Sequence, residues 1–472
     1  MTTARAANGA PRNSVIQAYR YALEPTAAQE QALRSHCGAQ RFAYNWGLSF
    51  VRANLETRAA EASFGPTDDQ LTPAVEWSAY GLRRAWNQAK AEVAPWWAEN
   101  SKEAYGSGLA NVATALKNWS DSRDGKRAGR RVGFPRFKSR RAVWSCRFTT
   151  GSLGLVDADR RHIKLPRIGV VRTGESTRKL ARHLDRGSGR IRSATVSLQG
   201  GRWFVAFSVE VVRAEPVRVQ SGETVGVDLG VKSLAVLSNG RVVPNPEYLV
   251  RAQARIRRLQ RRAARRRGPD SKTRTMPSNR WRKTQAKLAR LHVKVANARR
   301  DGLHKLTTEL TDSYRTVVVE DLNVAGLLAN RRLSGRIADA SWGEFRRQLD
   351  YKSRWRGATL QVADRWFPSS KRCSACGVVK AKLRLRDRTF SCDECGLVLD
   401  RDLNAARNLA ALVEIETSTA SCAGTEKMPA GNPRKTSSGA MGIATGRSRA
   451  PSDPGQRRGC ESVAQDLALP IS

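Results

Sequence analysis

Residues 373–410 read CSACGVVKAKLRLRDRTFSCDECGLVLDRDLNAARNLA. Cys373 and Cys376 form one Cys-x-x-Cys knuckle, Cys392 and Cys395 a second, with fifteen residues between them. A glycine follows each pair, Gly377 and Gly396, easing the turn that aims two thiolates at one ion. This is zinc-ribbon spacing. With sulfur in all four places no coordination position is left for water, so the spacing predicts one structural zinc and not a catalytic one. A redox dithiol would need only one knuckle. Directly after the second knuckle comes Asp400-Arg401-Asp402, leading into DLNAARNLA, a good helix sequence. The module either works by itself or delivers a carboxylate to a site built elsewhere.

Working outward, two apolar strands carry acids at their ends. Asp228 lies in TVGVDLGVKSL, where a hairpin follows at Gly230, and Glu320 closes TVVVE. A single acid at a strand end usually caps or turns the chain. Three so placed, in a chain able to hold polyphosphate, point elsewhere. Carboxylates from two strands and a helix can converge on two Mg²⁺ ions about 4 Å apart, the arrangement that cleaves phosphodiesters. Hard cations take oxygen ligands and do not compete for the zinc thiolates. Asp321 follows Glu320 directly and on an extended strand points to the other face. Asp400 is a natural N-cap and Asp402 lies a turn inside; spacing alone leaves those two open.

The 472 residues carry 84 Lys and Arg against 42 Asp and Glu, a net charge of +42. A chain this basic repels itself unless a polyanion neutralises it, and nucleic acid is the usual one. A hydrophobic fraction of 40% is ordinary for a folded protein of two or three domains. No stretch approaches the roughly 18 apolar residues of a membrane span, so no membrane partner is expected. The start, MTTARAANGAPRNSV, lacks the apolar core of a secretion signal. Paired knuckles in an unsecreted chain indicate a reducing, cytoplasmic setting. The five histidines form no His-x-His pair and no His-Glu-x-x-His, and neither a Walker loop nor a Gly-x-Ser-x-Gly elbow occurs.

Along the chain, residues 14–24 alternate like a strand, and from Thr26 a long helical pattern begins. Trp77, Trp86, Trp96, Trp97 and Trp119 fall in helical segments and are expected to be mostly core. A basic, glycine-punctuated stretch, RDGKRAGRRVGFPRFKSRRAVWSCRF, opens a β-rich region. Its Arg136 and Lys138, set among Phe134, Phe137, Trp144 and Phe148, suit a surface facing nucleic acid. Residues 251–300 carry 19 Lys and Arg and one acid, Asp270. Leu288, Leu291, Val295 and Ala298 keep one apolar face. A merely solvated face would mix signs, so Arg261, Arg262, Arg265, Arg266 and Arg267 are expected to meet phosphates. After about residue 412 the pattern dissolves into Ser, Gly and Pro, and a disordered tail is expected.

In order, GVDLGVKSLAV, VVVEDLNVAGLL, FPSSKRCSACG, SCDECG and DRDLNAARNLA resemble the TnpB family. These are transposon-encoded nucleases with a RuvC-type core, related to type V CRISPR effectors. YRYALEPTAAQEQALRSHCGAQRFAYNWGL resembles the family's amino terminus, and GFPRFKSRR and GGRWFVAFSVEV its β-region, so the likeness runs from about residue 15 to 412. It implies a multi-domain α/β fold: an RNase H-like RuvC nuclease domain with an inserted zinc ribbon, a wedge β-barrel and a helical recognition lobe. The expected boundaries are 1–24 and 131–215 for the wedge barrel, 25–130 for the lobe and 220–412 for the nuclease domain. Within the last lie a basic helical pair at 247–312 and the ribbon at 370–398; 413–472 is the tail. Matched to the family motifs, Asp228 is the first catalytic acid, Glu320 the second and Asp402 the third, with Asp400 its neighbour.

The resemblance further implies a Mg-dependent DNA endonuclease, steered by a guide RNA onto double-stranded target DNA and supporting transposon maintenance. It would act at the nucleoid with two Mg²⁺ ions, the four cysteines holding one zinc. The alternatives are a transposase performing strand transfer and an RNA-guided DNA-binding regulator that does not cut.

Overall fold

The computed structural model describes residues 14–422 apart from positions 66, 68, 141–142, 157–158, 214–222, 271–272, 274 and 385. These residues fall into two compact units. The first takes those before Val217 together with Ala252–Asn297; the second takes those up to Arg251 and those from Ala298 onward.

The first unit opens with strand β1 (Ser14–Glu24) and the long helix α1 (Ala27–Ala62). Thr26 begins the helix with a capping box: its hydroxyl accepts the Gln29 N–H while the Gln29 side chain accepts the Thr26 N–H. Helices α2 (Ala79–Val93) and α3 (Lys102–Arg123) start at Ser78 and Ser101, whose hydroxyls cap them. Leu33, Leu48, Leu82, Leu109 and Leu116 are fully buried where the three meet. Trp86 joins them, stacked on Tyr105 with ring centroids 5.0 Å apart, and Trp77 and Trp97 pack partly against this core.

Strands β2 (Ser145–Phe148), β3 (Gly154–Leu155), β4 (His162–Leu165), β5 (Gly169–Thr173), β6 (Gly189–Gln199) and β7 (Arg202–Val212) follow, with helix α4 (Arg178–Asp185) before β6. With β1 they form a seven-stranded antiparallel sheet ordered β2-β6-β7-β1-β5-β4-β3. Period-two alternation along β7 buries Trp203, Val205, Phe207, Val209 and Val211. No ladder joins β2 to β3 among the described residues.

Two basic helices, α5 (Tyr248–Ala264) and α6 (Asn279–Ser313), were expected inside the nuclease domain. By packing, their residues 252–297 group with the first unit. At the β6–β7 turn a Cβ on Gly200 would lie 2.9 Å from Val293 Cγ2, so the bare turn seats against α6.

The second unit is built on strands β8 (Thr224–Asp228), β9 (Ser233–Leu237), β10 (Val242–Pro244), β11 (Thr316–Glu320) and β12 (Thr359–Ala363). Their order is β10-β9-β8-β11-β12; the first three pair antiparallel, while β8, β11 and β12 run parallel. The run Thr316–Val319 is buried throughout, as a parallel strand covered on both faces requires. Val317 and Val319 join a core with Leu303, Leu310, Phe345 and Leu349, whereas Val318 meets Ala363 and Leu409 on the other side.

Short helices α7 (Val324–Leu328) and α8 (Ser334–Ala340) and the longer α9 (Trp342–Arg356) lead into β12. A two-stranded hairpin, β13 (Thr389–Ser391) and β14 (Val398–Asp400), precedes the last helix, α10 (Arg401–Cys422). That helix runs on to Cys422, past the tail boundary expected after residue 412. The rest of the expected tail, 423–472, lies outside the described residues. None of the described helices is long and apolar enough to cross a membrane.

Candidate active site and metal centre

Parallel pairing of β8 with β11 puts Val227 opposite Val319, so the next residues, Asp228 and Glu320, both stand at the carboxyl ends of neighbouring strands. Open α/β sheets bind their ligands at that edge. The third acid arrives on α10, which crosses β8 at backbone contact. A Cβ on Gly226 would lie 2.0 Å from Ala406 O and 2.6 Å from Ala410 N, so only glycine fits there. Asp402, Ala406 and Ala410 are spaced by four and share one helix face. The face that touches β8 therefore carries Asp402 toward Asp228.

The electrostatics register this convergence. Burial pushes the Asp228 carboxyl up to about 8; the negative charges of Glu320, then Asp402 and least Asp400 add to the effect, and Arg401 opposes it. On Glu320 the Ser369 hydroxyl donates to Oε1. Asp321 is spent elsewhere, ion-paired with Arg346 and with Arg365 (Nη2–Oδ2 2.5 Å), and both hydrogen bonds hold its carboxyl below the usual range. Asp400 is the helix cap: its Oδ1 accepts the N–H groups of Asp402 (2.9 Å) and Leu403 (3.1 Å). Asp402 is held from the side by Arg401 Nη2 (3.2 Å to Oδ1) and Arg388 Nη1 (3.9 Å from Oδ2).

Among the described residues, one group of three or more metal-type ligands has all its donor atoms within 4.8 Å of one another, and it is the four cysteines. The carboxylates are coupled through charge without gathering that closely. Cys373 Sγ and Cys395 Sγ are 3.6 Å apart, Cys376 Sγ and Cys392 Sγ 3.5 Å. A disulfide would bring sulfurs to about 2.05 Å. Four Zn–S bonds of about 2.3 Å in a tetrahedron set them about 3.8 Å apart, which these spacings fit. The two knuckles repeat one backbone design. The N–H groups of Gly377 and Gly396 donate to Cys373 O (3.0 Å) and Cys392 O (3.1 Å), and both glycines have positive φ.

Three contributors to this site carried little sequence signal. Asn404 Nδ2 donates to Arg372 O (2.7 Å), while its Oδ1 accepts the Ser374 N–H (3.0 Å). Asn408 Nδ2 reaches Ser369 O (2.8 Å) and Arg372 O (2.7 Å). These two buried amides thus clamp the first knuckle and Ser369 to α10. Two asparagines four apart, on the same face of α10 among alanines and leucines, are the available hint, since a buried amide needs partners. Ser369 itself, in FPSSKRC, gives none.

A second candidate site lies on the basic helices. Between α5 and α6 runs a groove of about 1010 Å³, lined by eight cations and by Leu259 and Leu291. Arg261, Arg262 and Arg265 line it, joined by Arg255, Arg258, Lys287, Arg290 and Lys294. Arg266 does not: its guanidinium donates to Arg280 O and Thr284 Oγ1, tying the two helices together. Arg267 is exposed outside the groove lining. In the β-rich region Arg136 is exposed, whereas the Lys138 ammonium sits 3.9 Å above the Tyr44 ring and is half-buried. Lys138 therefore serves as a latch onto α1.

Comparison with known proteins places these features. A family model described as "Probable transposase" matches residues 206–331, a span that includes Asp228 and Glu320. One described as "Cas12f1-like, TNB domain" matches 342–409, with the knuckles and Asp402. Over 421 residues the chain is 39% identical to "Putative RNA-guided DNA endonuclease Rv2885c" of Mycobacterium tuberculosis (strain ATCC 25618 / H37Rv), covering 85% of this chain and 87% of that one. The chain belongs to the TnpB family.

This TnpB family member is also 30% identical over 411 residues to "Putative RNA-guided DNA endonuclease InsQ" of Escherichia coli (strain K12), covering 84% of this chain and 92% of that one. Among solved structures it is similar to a chain of the "Cryo-EM structure of the Cas12f1-sgRNA-target DNA complex", with a TM-score of 0.46 and 12% identity over 84% of this chain and 99% of that chain. A model described as "Helix-turn-helix domain" matches residues 13–59. In this TnpB protein that segment is strand β1 followed by one unbroken helix, α1.

Proposed function

We propose that this chain is an RNA-guided DNA endonuclease encoded by a transposable element, hydrolysing phosphodiester bonds at a RuvC-like site made by Asp228, Glu320 and Asp402. The observation that carries the reading is Asp228, at the end of β8, with its carboxyl pushed up to about 8 by burial and by the charges of Glu320 and Asp402. Like charge held together this way favours a divalent cation, and these positions offer only oxygen donors, the kind Mg²⁺ takes. Mg²⁺ held there supplies Lewis acidity, lowering the pKa of water and neutralising the leaving oxygen.

The chain's own residues set the geometry. Ser369 fixes one oxygen of Glu320 and so the direction of the other. Arg401 and Arg388 hold Asp402 from one side, and Asp400 stays in the helix cap. Cys373, Cys376, Cys392 and Cys395 would hold zinc as a closed strut, with no open position for a reaction.

The relatives' names supply the partners assigned here, a guide RNA and target DNA. In this reading base pairing with the guide chooses the sequence, while the protein holds backbone and shape. The α5–α6 groove would carry phosphates of the RNA or of its duplex with the target. We assign α1–α3 as the recognition lobe and the seven-stranded sheet as the wedge.

Asp228→Ala is the test. It should abolish Mg²⁺-dependent cutting of guide-matched DNA and leave RNA-guided binding near wild type. Residual cutting by a pure Asp228→Ala preparation would overturn the assignment of the acids. Guide-independent strand-transfer products from a labelled transposon end would move the reading to the transposase that one matching model describes.

A further inference from the structure

Twelve tryptophans occur in the chain, and one of them is placed against the trend. Trp366 is 85% exposed; the next most exposed, Trp96, is at 37%. An indole left in water forgoes the largest burial gain any side chain offers, so its presentation calls for a reason.

The presentation is rigid. The Trp366 N–H donates to Asp364 Oδ1 (2.8 Å), the Phe367 N–H to Asp364 O (3.1 Å) and the Ser369 N–H to Phe367 O (2.8 Å). Phe367 packs inward against Val318, Ala363 and Leu409, leaving its neighbour Trp366 facing out. This turn is also tied to the acids on both sides of the indole. Arg365 pairs with Asp321, and Ser369 donates to Glu320. Trp366 therefore stands between two side chains that grip the consecutive residues Glu320 and Asp321.

The stretch around it, DRWFPSSKR (364–372), holds three cations, one acid and two further apolar residues, Phe367 and Pro368. An apolar protein partner would look for an apolar surround. A flat, exposed π face on a turn tied to Glu320 suits a polymer that carries flat rings. We propose that Trp366 is a stacking platform for an unpaired base of the DNA strand held at Glu320 and Asp228. The inference rests on the nuclease reading and deepens it. Stacking tolerates every base, because each has a π face. That matches an enzyme whose sequence choice is made by pairing with a guide.

The test uses the full chain loaded with its RNA. In EDTA, 2-aminopurine is walked through the unpaired strand of a guide-matched target. Wild type should quench its fluorescence at one or two adjacent positions; Trp366→Ala should lose that quench and Trp366→Phe keep part of it. In Mg²⁺, Trp366→Ala should slow single-turnover cutting by about 5- to 150-fold, the usual worth of one stacked base. Trp366→Phe should stay close to wild type, and melting of all three proteins should coincide, since the side chain is in water.

An abasic nucleotide at the quenched position should slow wild type as much as Trp366→Ala does, and should not slow Trp366→Ala further. A quench that survives in Trp366→Ala overturns the proposal, and so do abasic and tryptophan losses that multiply. If wild type does not cut, the nuclease reading falls, and the fluorescence alone still decides whether Trp366 stacks on a base.

Discussion

Asp400 and Asp402 are two residues apart, and the same carboxylate chemistry is put to different use in each. Asp400 is bonded to the N–H groups that open α10, a contact that leaves its charge on the helix axis. Asp402 lies on the face that touches β8, and its charge adds more than that of Asp400 to the burial that pushes Asp228 up to about 8. The two should separate under substitution. Asp400→Ala should cost about 1 kcal/mol in denaturant unfolding, the usual worth of an N-cap, with cutting retained. Asp402→Ala should leave the unfolding midpoint near wild type and abolish nicking of guide-matched plasmid. Loss of nicking in Asp400→Ala at an unchanged midpoint would exchange their roles.

The element that makes the site is α10. It rides on β8 at Gly226, and backbone atoms of Ala406 and Ala410 occupy the space a side chain would need. Neither can move aside as the end of a flexible side chain could. Gly226→Ala should therefore displace the helix, costing about 1–3 kcal/mol or more as overpacking does. Cutting should fall further than the unfolded fraction accounts for, because Asp402 moves with the helix, while RNA binding persists. Ordinary stability together with full cutting would show that α10 does not approach β8 this closely. The same helix clamps the first knuckle through Asn404 and Asn408, so the cysteine module and Asp402 are positioned as one body.

Over the whole chain the governing quantity is the charge of +42. Residues 251–300 hold 19 Lys and Arg against one acid, and eight of these cations line one groove. Each phosphate neutralised releases counterions and steepens the salt dependence of binding by about 0.7–0.9 in log K against log salt. Replacing Arg261, Arg262 and Arg265 with Gln should therefore flatten the slope for RNA by about 2–3 units in total. Replacing Arg266 and Arg267 should change it little, since Arg266 is engaged with Arg280 and Thr284. An unchanged slope in the first variant removes the groove from the RNA path.

What the sequence determined by itself was whatever short-range spacing controls. The Cys-x-x-Cys pairs and their glycines fix knuckle geometry within a few bonds of chain. The Thr26 capping box starts α1, and β-branched runs make β8 and β11 end at Asp228 and Glu320. The charge excess needed only counting. Only the tertiary structure shows Asp400 bonded to the N–H groups that open α10 and Asp402 on the face that meets β8, because that depends on which face of α10 meets a strand far away in sequence. It also brought Ser369 to Glu320, spent Asp321 on arginines, bonded Arg266 to Arg280 and Thr284, set Lys138 over the Tyr44 ring, and grouped residues 252–297 with the first unit. Periodicity tells which side of an element is buried and is silent on the partner. The partner is set by the fit of one backbone against another, here a helix allowed onto a strand by the missing side chain of Gly226.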